Sequence, residues 1–215
     1  MNHVALLGDS ILDNGVYVPD GSAVIDHLRR CLPEGSQATL LAVDGSVIRD
    51  VAAQLQRLPA DASHLVVSVG GNDVLGKSEI VYDPAVGVLG ALSRLVEIRS
   101  GFQRAYADML TAVLAHGLPT VVCTIYDHSP FPTPELQPFA AAALSVFNDV
   151  ITRVAARVRV PVLDLRLLCD ELTDYSPVSP IEPSASGGSK IAAGIARIIL
   201  EHDFRRHEAV LFGSS

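Results

Sequence analysis

The chain has 215 residues, 49% of them hydrophobic, 19% charged and 5% aromatic with no Trp, and its formal net charge is −8. A chain of this size can bury roughly 70% of the surface its unfolded form exposes, so neither disulfides nor a structural metal are needed to hold a core. Lys and Arg are scattered rather than gathered into a stripe that could neutralise phosphates, so nucleic acid is not an expected partner. The three cysteines, Cys31, Cys123 and Cys169, are odd in number and lack CxxC spacing, and they read as small core residues. The N-terminus runs from Met1-Asn2-His3 into apolar sequence without a basic region or a cleavage site. No stretch reaches the roughly 20 apolar residues that span a bilayer. A soluble, cytoplasmic protein is the expectation.

In chain order, Val4 to Leu7 reads as a strand, Ala23 to Leu32 as a helix, Thr39 to Val43 as a strand and Val47 to Leu58 as a helix. His64 to Val69 is an apolar strand, much of Val86 to Ala115 a long helical stretch closed by Pro119, and Thr120 to Ile125 a strand. Leu136 to Val158 is helical, Val160 to Leu163 is the last strand, and Gly188 to His202 the last helix. Short β-branched runs without alternation, separated by helices, indicate a parallel sheet covered on both faces. The expected fold is a three-layer α/β/α domain with about five strands, a single unit over residues 1–215. Two proline-rich stretches, His128 to Pro138 and Asp174 to Pro183, read as ordered loops, because each proline fixes its own φ and restrains the residue before it. Each follows a strand, or a strand and a short helix, and so can lie at the carboxyl edge of the sheet, where open α/β folds hold their ligands.

Three strand ends carry residues that suit acyl chemistry. The first strand ends in Gly8-Asp9-Ser10-Ile11, which can present a serine hydroxyl and its own N–H at the sheet edge. The second ends in Asp44-Gly45-Ser46, where Gly45 offers an unhindered N–H. The third ends in Gly70-Gly71-Asn72-Asp73, where Asn72 can aim a side-chain amide. Alone, each is an ordinary β–α turn with a capping residue. Together they supply a nucleophile and three convergent donors for an oxyanion: the Ser10 N–H, the Gly45 N–H and the Asn72 amide. Asp9, Asp73 and the pair Asp13-Asn14 read as supports of these turns or as caps. Tyr17 and Phe131 are candidates to line an apolar acyl pocket.

With these residues the sequence resembles the SGNH or GDSL hydrolases. The matching positions are Gly8-Asp9-Ser10-Ile11, Gly45 and Gly70-Gly71-Asn72-Asp73, in order and with matching spacing, and the resemblance runs from Val4 to about Leu200. It implies a flavodoxin-like α/β/α fold, no metal or other cofactor, and hydrolysis of a small-molecule carboxylic ester through an acyl-serine intermediate. Ser10 would be the nucleophile, with Gly45 and Asn72 in the oxyanion hole.

The last block departs from the family. It usually reads Asp-x-x-His-Pro ahead of the final helix, the His being the base and the Asp its orienter. Here the stretch is Ser179-Pro180-Ile181-Glu182-Pro183-Ser184, so Glu182 stands in the place of the His and Ser179 in that of the Asp. Three readings follow. Glu182 is itself the base, if burial raises its pKa. His128, in the loop after the fourth strand, serves instead. Or the pocket has lost turnover and binds an acylated or carboxylate ligand. The remaining histidines, His3, His27, His64, His116, His202 and His207, read as ordinary surface groups.

Overall fold

A computed structural model describes residues 1–19, 21–77, 87–128, 130, 135 and 137–213. Six parallel strands form one sheet in the order β2-β1-β3-β4-β5-β6. They are β1 (His3–Gly8), β2 (Gln37–Leu40), β3 (His64–Ser68), β4 (Thr120–Cys123), β5 (Val162–Leu163) and β6 (Leu211–Phe212). The helices are α1 (Val24–Cys31), α2 (Val51–Leu55), α3 (Gly71–Leu75), α4 (Val88–Leu114), α5 (Gln137–Arg157) and α6 (Ala185–Glu201).

The strands are apolar on both faces because both faces are covered. Within β1, Val4 and Leu6 pack into the cluster that holds Val24, Ile25 and Leu28 of α1 with Ile191, Ile195 and Ile198 of α6. Ala5 and Leu7 point the other way, into the cluster that holds Val51 and Leu55 of α2, Tyr106 and Leu110 of α4, and Ile151 of α5. One strand thus supplies the floor of two cores, and the side-chain period of two decides which residue serves which.

The boundaries shift in informative ways. The sheet has six strands rather than five, and β5 is not the last. Leu211–Phe212 returns after α6 and pairs with Val162–Leu163 at the sheet edge, a two-residue strand too short to carry a period. The helix expected over Val47 to Leu58 is only α2, preceded by a 3₁₀ turn at Ile48–Asp50. Helix α6 starts three residues ahead of the expected Gly188, because Ser184 caps it by accepting from the Gly187 N–H at 3.2 Å. Val86 and Leu136, the expected first residues of two helices, lie outside the described residues, as do Ser129 and residues 131–134 of the first proline-rich stretch.

Three other expectations need correction. Cys31, at the end of α1, is exposed, whereas Cys123 and Cys169 are buried as expected. His3 is a buried group, with Nε2 2.8 Å from Thr39 Oγ1 and Nδ1 2.9 Å from Asp61 Oδ1. Helix α5, 21 residues, is long and apolar enough to cross a bilayer by length and composition. Its second half supplies Phe147, Val150, Ile151 and Val154 to the core, whereas residues 137–146 include no buried residue.

The approach of β1 to β3 depends on Gly8. Its φ is +129°, and a Cβ there would lie 1.7 Å from the backbone oxygen of Ser68. That same oxygen accepts the Asp9 N–H at 3.0 Å. Gly8→Ala therefore has no relaxed solution and is expected to cost roughly 4 kcal/mol or more. A thermal melt would show it as a fall in Tm of about 10 °C or more.

Candidate active site

The chain leaves β1 with β2 on one side and β3 on the other, so the carboxyl end of β1 faces the crevice where α/β sheets hold ligands. Ser10 stands at that point, two residues past Gly8. Its turn is closed by the Leu12 and Asp13 N–H groups, both donating to the Asp9 carbonyl at 3.1 Å. The Asp9 carboxylate accepts the Ile11 N–H at 3.2 Å, so Asp9 supports the turn as well as lining the cleft.

The β2 turn is built around Gly45. The Ser46 N–H donates to the Val43 carbonyl at 3.1 Å, with Gly45 at φ +77° in the third position. That positive φ suits glycine. The β3 turn is tied to it twice: Asn72 Nδ2 donates to the Ser46 carbonyl at 2.9 Å, and Asp73 Oδ2 accepts the Ile48 N–H at 3.0 Å. Asn72 thus keeps a second amide hydrogen. Among the described residues, no acceptor binds the backbone N–H of Ser10 or of Gly45. Ser10 and Asn72 line one cleft, and Gly45 stands on the neighbouring turn outside its lining.

Glu182 enters from the far end of the sequence. Ser10 Oγ donates to Glu182 Oε1 at 2.9 Å, joining residues 172 positions apart. Glu182 is only 5% exposed. Ser179, in the place of the family's Asp, offers its carbonyl to the Glu182 N–H at 3.0 Å.

The cleft is mostly apolar, walled by Ile11, Leu75, Ile125, Tyr126, Leu144 and Ile181, with Ser10, Asn72 and Glu182 among its few polar groups. Burial dominates the electrostatics. It pushes the Glu182 carboxyl up to about 7 against the opposing pull of the Ser10 hydrogen bond, and the Asp9 carboxyl up to about 8. Burial likewise raises Asp73. Near neutral pH Glu182 can thus exchange a proton, while Asp9 is largely neutral.

His128 is exposed and not among the residues lining the cleft; its Nδ1 lies 3.2 Å from Asp127 Oδ1. Tyr17 does not line the cleft either, because its hydroxyl donates to Asp44 Oδ2 at 2.9 Å. Phe131 lies outside the described residues. Two residues escaped the sequence reading. Gln54, buried in α2, accepts the Gly8 N–H at 2.7 Å and donates to the Gly8 carbonyl at 2.8 Å and to Ser46 Oγ at 3.3 Å, tying the first two turns together. Its signal was a polar side chain inside an apolar helical pattern. Tyr126, three residues past the end of β4, forms part of the cleft wall and donates to the Ile181 carbonyl at 2.6 Å. No local pattern announces that bond.

Comparison with known proteins identifies the family and the fold. The model of the GDSL-like Lipase/Acylhydrolase family matches residues 6–188. No curated protein matches the sequence. Among solved structures, an extracellular lipase from Streptomyces rimosus superposes with a TM-score of 0.68 at 18% identity, over 94% of this chain and 100% of that one. A lipolytic G-D-S-L family protein from Veillonella parvula gives 0.65 at 13% identity, over 94% and 98%. A lipase/acylhydrolase from Enterococcus faecalis gives 0.62 at 16% identity, over 93% and 95%.

Proposed function

Since the chain belongs to the GDSL-like lipase/acylhydrolase family, we propose that it hydrolyses carboxylic esters through an acyl-serine intermediate, with Ser10 as nucleophile and Glu182 as the base. One observation carries this reading: the 2.9 Å hydrogen bond from Ser10 Oγ to a buried carboxyl, inside an apolar cleft at the switch point of the sheet.

In this reading the Glu182 carboxylate takes the Ser10 proton as Oγ attacks the ester carbonyl. The C–O bond forms and the carbonyl pair moves onto oxygen. That oxyanion is met by the Ser10 N–H and the Asn72 amide, which share the cleft, each worth about 3 to 4 kcal/mol of barrier in comparable sites, with the Gly45 N–H of the neighbouring turn as the third donor in this reading. The tetrahedral species collapses as the protonated Glu182 passes its proton to the departing alcohol. Water then attacks the acyl-serine with Glu182 again as base, releasing the carboxylic acid and restoring Ser10. A carboxyl with an ordinary pKa is a poor base for serine at neutral pH. Burial that lifts Glu182 to about 7 brings it into the range of an imidazole.

The apolar wall favours an uncharged acyl group of small or medium length. A panel of p-nitrophenyl acetate, butyrate and octanoate tests the activity itself, because a protein that only binds acylated or carboxylate ligands would release no nitrophenol beyond the background. His128→Ala is expected to leave kcat/KM on the preferred ester within about threefold. Its side chain is turned to solvent and paired with Asp127, and loss of a true general base would cost on the order of 100-fold or more.

A further inference from the structure

The loop that carries Glu182 is held at three successive carbonyls. That of Ile181 accepts from the Tyr126 hydroxyl at 2.6 Å, that of Glu182 from the Ser176 N–H at 2.8 Å, and that of Pro183 from Asn14 Nδ2 at 3.0 Å. Three consecutive carbonyls bonded to three separate segments leave the carboxylate little freedom to drift from Ser10.

Asn14 has the special position among these anchors. It lies four residues after Ser10, just beyond the nucleophile turn, and its side chain is completely buried. Its amide is engaged at both ends: Nδ2 on the Pro183 carbonyl, and Oδ1 accepting the Val24 N–H at the start of α1 at 2.9 Å. Gly188, in the first turns of α6, passes close to it, since a Cβ there would lie 3.6 Å from Asn14 Nδ2. One side chain therefore joins the segment of the nucleophile, the start of α1 and the loop of the base. Unlike Tyr126, Asn14 does not line the cleft, so an effect of its replacement cannot come from a lost substrate contact.

We propose that Asn14 is a positioning residue that fixes the Glu182 carboxylate against Ser10 by clamping the Pro183 carbonyl to the nucleophile turn. The proposal rests on the reading of Glu182 as base. Asn14 moves no proton and touches no substrate. It acts by holding the Oγ–carboxylate distance, and misplacement of a reacting pair by about 1 Å can cost on the order of 100-fold in rate.

The test is a double-mutant cycle on the full chain, with Asn14→Ser, Glu182→Gln and the double variant, read as kcat and KM on a p-nitrophenyl ester. The rate at which a fluorophosphonate labels Ser10 supplies the same cycle where turnover is too slow. Asn14→Ser is expected to lower kcat about 30- to 100-fold with KM within about twofold. In the Glu182→Gln background it should cost less than about threefold more, because the group being positioned is gone. Equal losses in both backgrounds would mean a merely structural role and overturn the proposal, as would a loss below about threefold in the parent protein. Asn14→Asp, which keeps the acceptor for the Val24 N–H and lacks the donor for Pro183, is read in the same way if Asn14→Ser does not fold. Failure of the base reading would show separately, as a Glu182→Gln single variant with undiminished activity.

Discussion

Ser10→Ala is expected to lower ester hydrolysis by about 10,000-fold or to the background rate, measured as kcat/KM on the best p-nitrophenyl ester. The change deletes the hydroxyl that would form the acyl bond; Asp9 beside it is buried and largely neutral near pH 7, and Asn72 has no nucleophilic atom. The fold should survive. Ser10 stands in a turn held by backbone bonds to the Asp9 carbonyl and by the Asp9 carboxylate on the Ile11 N–H, and none of these involves the serine hydroxyl. What the variant leaves behind is Glu182 Oε1 without its donor, a cost of about 1 to 3 kcal/mol, to be seen as a Tm shift of several degrees. Full activity in Ser10→Ala would remove the serine-hydrolase reading.

Glu182→Gln is expected to cost about 100-fold or more in kcat/KM. It preserves the shape and removes the basic oxygen. Because burial lifts this carboxyl to about 7, the parent protein should gain activity as pH rises from about 5 to 8, with a midpoint near 7, as the base form fills. The residual activity of Glu182→Gln should lack that rise. Stability should move the opposite way. A carboxyl whose pKa is raised in the folded state keeps its proton there while the unfolded chain loses it, so stability falls as pH rises from about 4.5 to 7. Glu182→Gln removes the charge that the fold disfavours, and its Tm at pH 8 should equal or exceed that of the parent. A variant less active and no less stable identifies a residue that serves chemistry at the expense of the fold.

The turns that carry Ser10, Gly45 and Asn72 were legible in the sequence, because an apolar run followed by Gly-Asp-Ser, by Asp-Gly-Ser or by Gly-Gly-Asn-Asp carries its turn chemistry within a few residues. The three-layer parallel fold was legible for a similar reason: unalternated β-branched strands have to be covered twice. What escaped depends on distant packing. The edge strand Leu211–Phe212 is defined by its partner and not by any period. Gln54 and Tyr126 hold backbone groups 46 and 55 positions away, and nothing next to either residue predicts that reach. Sequence offered both Glu182 and His128 as bases, with imidazole the better match in chemistry. Packing places the carboxyl beside Ser10 and leaves the histidine at the surface.

The most direct test of the Ser10–Glu182 pair is the pH dependence of labelling by a fluorophosphonate, followed by intact mass and peptide mapping. A single adduct on Ser10 is expected, forming at a rate that climbs through pH 7 in the parent protein and is both slow and flat across that range in Glu182→Gln. No adduct on Ser10, or an adduct that forms as fast and with the same pH profile in Glu182→Gln as in the parent, would contradict the assignment of Glu182 as the base that activates Ser10.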